Sequence, residues 1–211
     1  MKYEWGSGGK TPLILLHGLG SAALSFGELA TYLSDYHVIA FDLPGHGQAE
    51  ELQREEDYQP LNIVDKIEAE ITKMGLDEFY IAGHSWGADL TLYYVKKYPQ
   101  HVKGIILLND GYLPNEGNLE QELKDVEAFH DSVRFPSWES FIESEKSEVD
   151  RWSAELEAAS RSQVKMVDGE LQLAVSKFTA KSVVKGRYVE PNDDAYTNIT
   201  PTCSLAPGYR T

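Results

Sequence analysis

The sequence predicts an α/β protein: a three-layer α/β/α sandwich around a mostly parallel sheet of about six strands, carrying an inserted helical segment. Short apolar runs alternate with longer helix-period segments through the first half, which is the pattern of parallel strands joined by crossover helices. Those runs do not alternate apolar with polar residues, so each strand is expected to be buried on both faces. After residue 111 the character changes to charged, helix-period sequence with no buried strand run.

Each element can be justified in chain order. KYEW near the start is long enough for one strand, and PLILL (12–16), HVIAFD (37–42), FYIA (79–82) and VKGIILL (102–108) supply the buried strands. Between them, residues 22–33, 61–75 and 86–98 read as crossover helices. In the second of these, Ile63, Ile67 and Ile71 form one apolar stripe and Gly75 supplies a stop. NLEQELKDVEAFHDSV and SEVDRWSAELEAASRS continue in helical period, and Trp138, Phe141, Trp152 and Leu156 make that region too apolar for a disordered linker. The chain is thus divided into a core over residues 1–111, an inserted helical subdomain over 112–195 and a return to the core as one more strand over 196–211.

Composition bounds the function. With 34 acidic against 19 basic residues, the net charge of −15 disfavours nucleic acid and anionic membranes as partners. The single cysteine, Cys203, excludes an internal disulfide, the N-terminus lacks a signal-peptide pattern, and LILLHGL is too short to span a bilayer, so a cytoplasmic setting is expected. There is no closely spaced His/Cys/carboxylate cluster and no G-x-G-x-x-G, so neither metal nor organic cofactor is expected.

The chemistry concentrates in YIAGHSWGADL, residues 80–90. A strand, then G-H-S-W-G, then a helix is the setting in which a serine is forced outward on a tight turn, with Gly83 and Gly87 where side chains would strike backbone. Ser85 is therefore the candidate nucleophile, and the N–H of Trp86 at the helix start can donate to an oxyanion. A second element, LLHGLG (15–20), follows the earlier strand; Gly18 lets backbone approach a reacting group, and the Leu19 N–H is the candidate second donor.

At this point the chain resembles the α/β-hydrolase superfamily. HGLG, FDLPGHGQ, GHSWG and LLND appear in that family's order over roughly residues 3–111. The resemblance implies a serine hydrolase acting on a small ester or related carbonyl compound, with residues 112–195 as the cap that closes over the site. A serine in the elbow is unlike the dehalogenase and epoxide-hydrolase branches, whose nucleophile is a carboxylate.

The pattern breaks at the base. The family's histidine lies near the C-terminus, and here no histidine follows His130. His17 is expected to support its loop, His84 to point into the packing beneath the elbow, and His46 to stabilise a turn. His37 and His101 begin strands, the wrong end of a parallel sheet for catalysis, and His130 is expected half-exposed on a helix. Asp110, after the strand 102–108, is the candidate acid, although Asn109 and Asp110 equally suit the start of a turn; Asp42 reads as a loop anchor. Two functional readings stay open: an active enzyme, or a catalytically silent relative that binds a ligand or partner in the same cleft. A last strand lacking its neighbour over 196–211 also raises the expectation of a homodimer through that edge.

Overall fold

The protein was analysed as a computed structural model, which describes residues 1–6, 9–109 and 117–189. Its central sheet contains β1 (Lys2–Trp5), β2 (Thr11–Leu16), β3 (Tyr36–Phe41), β4 (Phe79–His84) and β5 (Val102–Leu108), in the spatial order β1-β3-β2-β4-β5. β1 runs antiparallel to β3; the other four strands are parallel. The central sheet thus shows five strands among the described residues where about six were expected, and the stretch expected to supply another, 196–211, lies outside them, together with the expected dimer edge.

Burial on both faces follows from the strand pleat. In β2, Ile14 and Leu16 face one core cluster while Leu13 and Leu15 face the other, and in β3 Ile39 and Phe41 oppose Val38 and Ala40 in the same way. The thicker cluster is completed by α2 (Pro60–Lys73) and α3 (Trp86–Lys97), including the expected stripe of Ile63, Ile67 and Ile71. The thinner cluster is closed by Ala23, Phe26 and Ala30. That crossover was expected as one helix, yet it winds as a 3₁₀ turn at Ala23–Phe26 followed by the short α1, Gly27–Thr31. The Ala23 N–H is taken by Asp42 Oδ1 at 2.9 Å, a cap supplied from the end of the next strand.

Helices therefore cover both sides of a mostly parallel sheet. Because β3 and β4 lie on opposite sides of β2, the chain reverses its direction of travel across the sheet beside the carboxyl end of β2, the place where open α/β sheets bind ligands.

Residues 117–189 form α4 (Leu119–Ser132), α5 (Trp138–Ser147), α6 (Ala154–Ser162), β6 (Val164–Val167), β7 (Glu170–Leu173) and α7 (Lys177–Val189). Expected to be mostly helical, this region carries a hairpin as well. Asp168 and Gly169 both adopt positive φ, 49° and 87°, as a two-residue primed turn demands. Asp-Gly between VKMV and ELQL was the signal for it. α6 packs on the 3₁₀ turn after β2, α7 packs on a second 3₁₀ turn, Glu55–Tyr58, and α4 packs on α7. No helix among the described residues is long and apolar enough to cross a membrane.

Candidate active site

Ser85 joins β4 to α3 with φ 51° and ψ −123°, a conformation that a residue with a side chain adopts only under constraint. The constraint is visible on both sides. A Cβ on Gly83 would fall within the backbone of Gly87 and Ala88, and one on Gly87 would fall within the backbone of Leu16 and His17. The strand end, the helix start and the loop after β2 are thus pressed together, and Ser85 is the residue left to turn. Its N–H holds the Leu108 carbonyl at 3.0 Å, and its own carbonyl accepts the Ala88 N–H at 2.7 Å.

The loop after β2 lies directly alongside, since Leu16 pairs with Gly83 in the β2–β4 register. A side chain on Gly18 would begin 3.1 Å from Ser85 Cβ and 3.2 Å from His84 Nδ1. Leu19 is half-buried against the thicker core cluster, and Trp86 is buried. Neither the Leu19 nor the Trp86 N–H is engaged in a backbone hydrogen bond among the described residues.

The histidines have separate environments. His17 is fully buried: its Nδ1–H donates to the Gly18 carbonyl at 2.8 Å and its Nε2 accepts the Leu43 N–H at 3.0 Å, tying the loop after β2 to the loop after β3. His46 packs between His17 and Trp86, with ring centroids 5.1 and 5.4 Å away, and its Nδ1–H donates to the Pro44 carbonyl at 3.0 Å. Burial pulls the His17 imidazole down to about 4; burial, reinforced by His17, pulls His46 down to about 3. Both rings are neutral at physiological pH, and neither hydrogen-bonds Ser85.

His37 pairs with Glu4 at 2.8 Å, and His101 donates to the Asp77 carbonyl at 2.9 Å. His130, expected half-exposed, is buried with Nε2–H donating to the Val175 carbonyl at 2.8 Å, because α4 lies against the segment that leads into α7. His84 also departs from expectation. It shares the strand face of Tyr80 and Ala82, and its ring is exposed at the end of β4 instead of packed beneath the elbow. Among the described residues, no imidazole hydrogen-bonds the Ser85 hydroxyl. Asp110 lies outside the described residues; Asn109 just before it adopts φ 61°.

Asp42 is an anchor: Oδ1 holds the Ala23 N–H and Oδ2 the Gln48 N–H at 3.1 Å, while Gly47, with φ 53°, sits where a Cβ would strike that carboxylate. A cleft of about 640 Å³ opens between residues 45–51 and the end of α6, lined among others by Gln48, Glu51, Arg161 and Lys165. Ser85 does not line it. Among the described residues no three His, Cys, Asp or Glu side chains converge as a metal site would require.

Residues 11–136 match the sequence model of the alpha/beta hydrolase fold. The chain belongs to the α/β-hydrolase fold family. Among its curated relatives, human 1-acylglycerol-3-phosphate O-acyltransferase ABHD5 is 34% identical over 132 residues, covering 60% of this chain and 37% of the relative. The (E)-2-((N-methylformamido)methylene)succinate hydrolase of Acinetobacter baylyi is 32% identical over 151 residues, 70% of this chain and 56% of that enzyme. The chain thus spans less than two thirds of either. Among solved structures, E-2-(acetamidomethylene)succinate hydrolase superimposes with TM-score 0.77 at 23% identity, over 97% of this α/β-hydrolase chain and 74% of that one, a likeness of fold.

Proposed function

We propose that this α/β-hydrolase chain is a serine hydrolase of the esterase-like kind, acting on a small ester or related carbonyl compound. Ser85 is the nucleophile, the N–H groups of Leu19 and Trp86 are the oxyanion donors, and Asp110 is the acid. The single observation that carries the reading is the Ser85 backbone: a positive φ on a serine, at a helix N-terminus, between glycines with no room for a side chain. Strain of this kind persists where the surroundings over-determine it, and it presents a hydroxyl at the end of a helix whose dipole favours the negative charge of an acyl-transfer intermediate. That one relative is named as a hydrolase supports the reaction class. Residues 117–189, which pack on the segments following β2 and β3, serve in this reading as the cap above the substrate.

The base is the open position. Among the described residues no imidazole hydrogen-bonds the Ser85 hydroxyl, an observation in favour of the second reading, a silent relative that binds a ligand or partner beside Ser85. Triad enzymes stripped of one member keep binding and oxyanion stabilisation and lose most of their rate. The two readings separate on labelling by a fluorophosphonate, with and without added imidazole as a diffusible base. Slow labelling that imidazole accelerates and Ser85→Ala abolishes is expected. A native chain that stays unlabelled even with imidazole would leave the silent reading in possession.

A further inference from the structure

We propose that Arg187 is a positioning residue for Ser85, compensating the charge of Asp89 so that the first turn of α3 can stabilise an oxyanion. The inference rests on the nucleophile reading above. Asp89 lies in the first turn of α3, one turn beyond Ser85, with its N–H 3.3 Å from the Ser85 carbonyl. Its side chain is only 10% exposed. A carboxylate there complements the helix dipole and so helps α3 to form, yet the same charge opposes the negative oxygen that must develop at the helix N-terminus during acyl transfer. The two demands conflict.

Arg187 resolves the conflict from the far end of the chain. Its Nε donates to Asp89 Oδ2 at 3.0 Å, and its side chain is 29% exposed, so the pair is partly shielded from solvent. α7 holds the guanidinium there by several independent contacts. Val183 enters the main core cluster, Thr179 Oγ1 lies 2.9 Å from the Tyr58 hydroxyl, and Lys185 pairs with Glu55 at 2.5 Å. Gly186 allows the closest approach, since a Cβ there would lie 2.8 Å from the Tyr58 carbonyl oxygen. The cation is therefore anchored to a packed helix, and its distance from α3 is fixed before any substrate arrives.

The arrangement also couples residues 117–189 to the elbow: displacing α7 withdraws the Arg187 cation from Asp89. One unit charge about a helical turn from the reacting oxygen, screened as partly buried groups are, is worth on the order of tenfold in rate.

The test measures fluorophosphonate labelling rates with imidazole present throughout, beside thermal melts for each variant. Arg187→Gln is expected to label about tenfold more slowly than the native chain, and Arg187→Lys, which keeps the charge, to stay within about threefold of it. The deciding variant combines Asp89→Asn with Arg187→Gln. With no carboxylate left to compensate, its labelling rate is expected to return to within about threefold of native, which loss of a mere tether would not allow. Asp89→Asn alone is expected to label at least as fast as the native chain, and it serves if Arg187→Gln does not fold. A native chain that never labels removes the nucleophile reading and this inference with it. A native chain that labels, with Arg187→Gln labelling at the same rate or the double variant remaining slow, overturns this inference alone, as does a slow Asp89→Asn.

Discussion

The β2–β4–α3 junction and residues 117–189 are held in place by different physics. At the junction, apolar side chains are buried on both faces of the sheet and backbone presses on backbone: Leu16, Ile81, Trp86 and Leu90 are within 2% of complete burial, and Gly83 and Gly87 meet main-chain atoms directly. Residues 117–189 contribute Val183 to that core and form a smaller apolar cluster of their own around Phe141, Ile142, Val164 and Leu171. They also meet the sheet half through the edge-to-face contact of Phe178 with Tyr58 and the packing of α6 on the turn at Ala23–Phe26, and several polar ties are added to these. Arg151 pairs with Glu28 through two bonds of 2.5 and 2.7 Å, Lys185 pairs with Glu55, and Glu51 accepts the hydroxyls of Ser176 and Thr179. Close packing tolerates no added atom, whereas exposed ion pairs cost little to lose. The difference teaches that the elbow is rigid by construction, whereas residues 117–189 are joined to the sheet half by packed and polar contacts together, of which the exposed ion pairs can be lost at little cost.

The comparison is broken most severely at Gly87. Gly87→Ala is expected to destabilise the protein by roughly 4 kcal/mol or more, because the new methyl group enters the backbone of Leu16 and His17 and neither can move without unpairing β2 from β4. Urea denaturation measures it; a shift under 1 kcal/mol, on the order of a surface substitution, would mean that the junction yields.

Acid is the next probe, because the same packing encloses His17 and His46 as neutral rings. Both have folded values below the roughly 6.5 of an unfolded histidine, at about 4 and about 3. Between those values and 6.5 the unfolded chain binds more protons. Their contribution is therefore complete above pH 6.5 and is lost progressively as pH falls toward 3, to the extent of roughly 3–5 kcal/mol for each ring. Denaturation midpoints measured from pH 7 down to 4 are expected to fall, and His46→Phe, which cannot take up a proton, is expected to flatten the slope. An unchanged slope in that variant would place the acid sensitivity elsewhere.

The smallest effects sharpen the contrast within residues 117–189. Thr179 is fully buried, and its hydroxyl serves both Tyr58 and Glu51; Thr179→Val keeps the shape, removes both bonds and is expected to cost about 1–2 kcal/mol. Arg151→Ala removes an exposed pair with Glu28, and no resolvable change in melting temperature is expected at moderate salt. Equal losses from the two would contradict the division between buried and exposed attachments.

How much was legible follows from where the signals lie. The four parallel strands, α2 and α3 were readable because each is written in a few consecutive residues: Ile63, Ile67 and Ile71 repeat at helical spacing, and VKGIILL is apolar without alternation. The elbow was readable for the same reason, since five neighbouring residues carry the turn. The hairpin of β6 and β7 was written locally too, in Asp168-Gly169, but was overlooked within a charged helical stretch. The exposure of His84 and the burial of His130 had no local signal. The first depends on what covers the end of β4, and the second on Val175, which lies far along the chain.

The sequence by itself determined the parallel sheet, the place of the strained serine and the need for glycine on either side of it, because periodicity and steric limits act between neighbours in the chain. Only the tertiary structure decided that His46 packs between His17 and Trp86 with both imidazoles neutral, that Asp42 caps the turn at Ala23, and that Arg187 reaches Asp89. Burial and charge pairing are properties of the surroundings, and those surroundings are assembled here from segments far apart in the chain, which carry no local mark of one another.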